Sequence, residues 1–130
     1  MMTVDKMAQA IREMGLDPEI NEGRKSLSVA FEMTTVACLY DERRETVTMA
    51  LINRPGLPEE KITQEAPLCH RLNEITSIAK CFIDAEGDQI MVYQSKLWHE
   101  EDISGILRDG LRCLAAMKAM YVRMSIDFSG

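Results

Sequence analysis

The sequence predicts an α+β fold: a single domain over residues 1–130, with an antiparallel sheet of about five strands and helices on one face, in the order α-βββ-α-ββ-α. Three observations predict it. Apolar and polar residues alternate through residues 26–51 in runs separated by a charged turn. A second pair of apolar runs, 80–85 and 89–97, flanks a glycine. Stripes of apolar residues at helical spacing stand before, between and after these runs. Period two belongs to a half-buried strand and a period near 3.6 to an amphipathic helix.

The first stripe, Val4, Met7, Ala8, Ile11 and Met14, predicts a helix over about 4–14. Thr3 can cap its start by accepting from a free backbone N–H, and Gly15 can take the left-handed conformation that stops it. Leu16-Asp17-Pro18-Glu19-Ile20 then turns at its proline and enters a short extended segment. Leu27, Val29, Phe31 and Met33 alternate with Ser26, Ser28, Ala30 and Glu32, which predicts a strand with one buried face. Val36, Cys38 and Tyr40 lead to the turn Asp41-Glu42-Arg43-Arg44, and Val47, Met49 and Leu51 lead away from it, with Thr46 and Thr48 adding β-propensity. These runs form an antiparallel meander. Arg54-Pro55-Gly56-Leu57-Pro58 ends it, because proline cannot donate to a sheet ladder.

Pro67 reads as a first-turn residue of a second helix over about 66–78. Leu68, Leu72, Ile75 and Ala79 share one face of it, and Arg71, Glu74 and Thr76 look outward. The two later strands are joined by Glu86-Gly87-Asp88, whose glycine supplies the positive φ of a tight hairpin. Ile103, Ile106, Leu107, Leu111, Leu114, Met117, Tyr121 and Met124 form one long stripe, with Arg108, Asp109, Arg112 and Lys118 mostly off it. A long C-terminal amphipathic helix follows. The stretch 53–65 alone resembles a linker, and it is too short to separate two cores.

The element order, the stretch Leu72-Asn73-Glu74-Ile75, the hairpin Phe82-Ile83-Asp84-Ala85-Glu86-Gly87-Asp88-Gln89-Ile90 and the long C-terminal helix together resemble the bacterial YbjN family, whose fold is like that of type III secretion chaperones. The resemblance spans about 4–124. It implies one antiparallel sheet with helices on one face, a homodimer, and a binding or regulatory role without established chemistry. It carries over no catalytic residue.

Composition narrows the function further. At 130 residues and 46% hydrophobic content the chain can bury one continuous core. Its longest apolar runs, such as Cys113-Leu114-Ala115-Ala116-Met117, fall far short of the roughly 20 residues that span a bilayer, so no membrane is expected. The N-terminus lacks the pattern of a secretory signal, and a cytoplasmic location is expected. Fifteen basic against 21 acidic residues give a net charge of −6, which repels phosphate backbones; nucleic acid is not an expected partner. Cys38, Cys69, Cys81 and Cys113 show no metal-ligand spacing and read as reduced core residues.

The candidate chemical sites all yield to simpler readings. Cys69-His70 has the residue types of a nucleophile and its base, but neighbours on a helix point about 100° apart. With only His70 and His99 available, no zinc set forms. His99-Glu100-Glu101-Asp102 places carboxylates where they complement a helix dipole, with His99 as N-cap and Trp98 and Ile103 at the spacing of a hydrophobic staple. Asp84-Ala85-Glu86-Gly87-Asp88 lacks the spacing and the distal glutamate of a calcium loop and reads as a turn.

Ten methionines are the compositional oddity. Met7, Met14, Met33, Met49, Met117 and Met124 read as core, while Met91 and Met120 are better placed for an interface. Catalytic residues, cofactor-binding residues and metal ligands are therefore all assigned as none, no cofactor is expected, and the chain is not expected to be an enzyme. The expected role is a dimeric protein-interaction or regulatory module, whose open sheet face carries Ala37, Leu39, Ala50 and Ile52. The alternative is a small-molecule sensor with an apolar pocket between the last helix and the sheet, lined by Phe82, Tyr93 and Met117.

Overall fold

A computed structural model describes residues 1–21, 23, 25–53, 59–75 and 79–129. Helix α1 (Val4–Glu13) starts where the Thr3 side chain accepts from the Lys6 N–H at 3.1 Å and ends at Gly15, whose φ of 84° no β-carbon obstructs. Then come strands β1 (Pro18–Ile20), β2 (Ser26–Phe31), β3 (Thr34–Asp41) and β4 (Thr46–Asn53), helix α2 (Glu59–Ile75), strands β5 (Ala79–Ile83) and β6 (Gln89–Lys96), a single 3-10 turn at Glu100–Asp102, and helix α3 (Ile103–Ser129).

The sheet has six strands in the order β1-β2-β3-β4-β6-β5, with every neighbouring pair antiparallel. The strand beyond the expected five is β1, built from the segment that begins at Pro18. Two rows of side chains cross the sheet on its inner face: Cys81, Met91, Leu51, Val36, Val29 and Pro18, then Ala79, Tyr93, Met49, Cys38, Leu27 and Ile20. All but Ile20 are buried, and that residue packs against the same core. All three helices close this face, with α1 over β1 and β2, α3 across β4 and β6, and α2 over β5.

Most of the predicted α3 stripe is buried, from Ile103 through Leu107, Leu111, Leu114 and Met117 to Tyr121, with Ile106 and Met124 half-buried. Gly110 lets this helix lie close to the sheet, since a β-carbon there would overlap Met49 Sδ and come within 2.9 Å of Tyr93 Cδ1.

Several sequence expectations are corrected. Helix α2 begins at Glu59, so Pro67 lies inside it and 59–65 is helix, not linker. The proline was a misleading start signal: mid-helix it removes one backbone bond, and the buried Leu68, Cys69 and Leu72 hold the helix against the core. The expected end of this helix at 76–78 and the turn 54–58 lie outside the described residues. Ala79 belongs to β5 and does not continue the helical face.

Met33 is not core. It sits fully exposed at the tip of the β2–β3 hairpin, where Glu32 and Met33 both take positive φ, 47° and 64°. A two-residue hairpin needs that backbone whatever the residue, so turn geometry overrides the alternating pattern there. Met91 is fully buried in the middle of the inner face and so is no surface contact.

Candidate interaction surface

The helices cover one face of the sheet and leave the other open. Because side chains alternate, the residues between the buried rows must appear on that open face. Phe82, Ile90 and Ile52 lie side by side across β5, β6 and β4. Lys80, Val92, Ala50, Ala37 and Ser28 form the next row, and Gln94, Thr48, Leu39 and Ser26 the one after. Apolar side chains thus gather over β3, β4, β6 and β5, and serines over β2.

Phe82 is 47% exposed, Ile52 42% and Leu39 41%, while Ile90 and Val92 are half-buried by their neighbours. A contiguous apolar strip of this kind marks a contact surface more often than isolated exposed residues do. Its margin is polar: Gln94 Nε2 donates to Thr48 Oγ1 at 3.0 Å, and Lys80 stands exposed on the edge strand.

The four residues expected on this face, Ala37, Leu39, Ala50 and Ile52, are all there. Phe82, Ile90 and Val92 were missed as members. Both phases of β6 are apolar, so its alternation does not say which face is inner, and only its insertion beside β4 decides. Phe82 also fails as a lining residue of the alternative pocket. It points to the open face, whereas Tyr93 and Met117 are buried beneath the helices.

A second surface feature lies at one end of the sheet. Tyr40, Trp98, Glu42, Glu45 and Glu100 line an open hollow of about 470 Å³. Trp98 is 70% exposed, with Lys96 Nζ 5.3 Å from its ring centroid, so the indole is not buried in a staple. Leu97 takes the buried place instead, its N–H donating to the Glu45 carbonyl at 2.8 Å. His99 is the N-cap of the 3-10 turn but makes no side-chain capping bond. The Met1 amino group and, next, the Lys6 ammonium hold the Glu100 carboxyl below its usual range. Burial and then the Glu45 and Glu42 carboxylates push the Tyr40 hydroxyl up.

Cys69 is buried and touches Cys81, whereas His70 is exposed and reaches Glu74 at 3.2 Å, so the two adjacent residues point to different surroundings. Asp84, Glu86 and Asp88 bring one carboxylate oxygen each within 4.8 Å of one another. Asp84 Oδ1 already accepts from the Glu86 and Asp88 N–H groups at 2.9 Å, which fixes the hairpin turn around Gly87. The contact between Cys69 and Cys81 was not anticipated, because 12 residues of sequence separation carry no motif and only the packing of α2 on β5 joins them.

No helix among the described residues is long and apolar enough to cross a membrane. The sequence matches no family model and no curated protein. Solved structures do resemble it. The crystal structure of YbjN from E. coli, a candidate transcription regulator, superposes with a TM-score of 0.70 over 89% of this chain and 88% of that one, at 10% identity. The Yersinia pestis type III secretion chaperone SycH, in complex with a stable fragment of YscM2, gives 0.51 over 95% and 97% at 14% identity. The HopA1–SchA chaperone–effector complex gives 0.56 over 90% and 91%, also at 14%. At such identities the likeness is one of fold. The chain therefore has the fold shared by YbjN and the type III secretion chaperones.

Proposed function

We propose that the chain is a single-domain, non-enzymatic protein-interaction or regulatory module that pairs with a second copy of itself and receives a protein partner. The observation that carries this reading is the open sheet face with its apolar strip of Phe82, Ile90, Ile52, Val92 and Leu39. Covering such a strip removes apolar area from water at about 25 cal/mol per Å². The neighbours in fold support the reading, since SycH and SchA each stand in a complex with a protein.

Light scattering across a concentration series tests the first half, with twice the chain mass expected. Ile52→Glu is expected to return the protein to one folded chain whose unfolding midpoint no longer rises with protein concentration, because the side chain is already partly in water and its loss removes only the pairing. Affinity capture from native extract, competed with untagged protein, tests the second half. A strict monomer at every concentration, together with no stoichiometric and competable partner, would sink the reading.

A further inference from the structure

The two thiols brought together by α2 and β5 stand apart from everything the interaction surface uses. Cys69 Sγ and Cys81 Sγ are 2.9 Å apart, and neither is bonded to another sulfur. A disulfide needs about 2.05 Å, so closure asks for a movement of roughly 0.9 Å. The frame around them is already fixed. Asn73, one helical turn beyond Cys69, accepts from the Cys81 N–H at 2.7 Å and donates to the Cys81 carbonyl at 2.8 Å, which pins β5 to α2 at the residue that must meet Cys69.

We infer that Cys69 and Cys81 form a reversible dithiol–disulfide pair, oxidised by a hydroperoxide, with Cys69 as the attacking sulfur and Cys81 as the resolving one. The Cys69 thiolate attacks one peroxide oxygen, the O–O bond breaks, and hydroxide leaves, giving a sulfenic acid at Cys69. The Cys81 thiol, losing its proton, then attacks the Cys69 sulfur; the S–O bond breaks and the departing hydroxide takes up a proton. In sum, two thiols are oxidised to one disulfide and hydrogen peroxide is reduced to two waters.

The order of attack follows from placement: Cys69 is the more exposed of the two and lies two residues from Pro67, while Cys81 is pinned in its strand by Asn73. Either sulfur can donate across the contact; with Cys81 as donor, the bond holds the Cys69 thiol below its usual range, although burial and Glu65 oppose it. The same bond, with burial, pushes the Cys81 thiol far up. Among the described residues the other two cysteines have no such partner: burial pushes Cys38 up to about 12, and burial and then Asp109 raise Cys113. Access is narrow, since Cys69 is 3% exposed and Cys81 1%. That favours a reagent as small as hydrogen peroxide. Pro67, two residues before Cys69, also lacks the N–H that would tie this turn of α2 to the one before.

The test treats the full chain with hydrogen peroxide, then alkylates the unfolded protein and maps its peptides by mass spectrometry. The expected result is a cross-link between the Cys69 and Cys81 peptides, with Cys38 and Cys113 still alkylated, and recovery of all four thiols after dithiothreitol. Four alkylated thiols after peroxide, or a cross-link through Cys113, would overturn the inference, and this measurement needs no substitution. For the order of attack, Cys81→Ser keeps a hydroxyl donor and is expected to trap a dimedone adduct at Cys69. Cys69→Ser is expected to give none at Cys81, and an equal yield there would overturn the assignment.

Discussion

At the scale of single residues, two glycines of one helix have opposite reasons for being there. A β-carbon at Gly105 would meet nothing within 4 Å, whereas one at Gly110 would overlap the fully buried Met49. Alanine is favoured over glycine inside a helix by up to about 1 kcal/mol, and that gain is all that Gly105→Ala changes. Overpacking costs about 1–3 kcal/mol, so Gly110→Ala is expected to lose stability despite the same propensity gain. Urea unfolding of the two variants checks the pair, and equal effects would contradict the close approach of α3 to β4. Glu100 gives a prediction in pH. Its carboxyl is lowered by the Met1 amino group and Lys6, so the stabilisation from those contacts is complete above the usual carboxylate range. It is lost as pH falls through the lowered value. In urea melts from neutral to acid pH, Glu100→Gln is expected to be the less stable at neutrality and to converge on the parent protein in acid.

At the scale of elements, what the sequence disclosed depended on whether a local signal and the tertiary contact agreed. The Thr3 cap, the α1 stripe and the α3 stripe carry their own periodicity, and the structure repeats them almost residue for residue. Helix α2 does not: its apolar face is short, and Pro67 inside it imitates a beginning. β1 has three residues and becomes a strand only because β2 lends it a ladder, Pro18 opposite Val29 and Ile20 opposite Leu27. Of the candidate surface, the β3 and β4 half was legible and the β5 and β6 half was not, since strand partners distant in sequence choose which phase turns inward. The attachment of α2 also rests on a non-local link, the two hydrogen bonds from Asn73 to Cys81. Asn73→Ala leaves a partly buried N–H and carbonyl on β5 without these partners and is expected to cost about 1–3 kcal/mol. Hydrogen exchange on β5 should report the change before that on β3 does.

At the scale of the whole molecule, the two faces of one sheet divide the labour. The inner face is a closed core of two crossing rows, and the outer face keeps an apolar strip with a polar margin. A charge placed on the strip, as in Phe82→Glu, is therefore expected to change association and, at a dilution where the parent is also a single chain, to leave the unfolding free energy within about 0.5 kcal/mol. Light scattering at high concentration and denaturation at high dilution separate the two. The strand order has one more consequence, and it concerns the growing chain. β6 lies between β4 and β5, so an interior position of the sheet is filled by its last strand. Residues 46–53 wait for residues 89–96, and a chain still being synthesised has the meander of β1 to β4 with the ladder of β4 unpaired. Until the second hairpin emerges, that edge is open to any extended segment nearby, so the partly made chain is exposed to pairing with its neighbours before its last helix has been made.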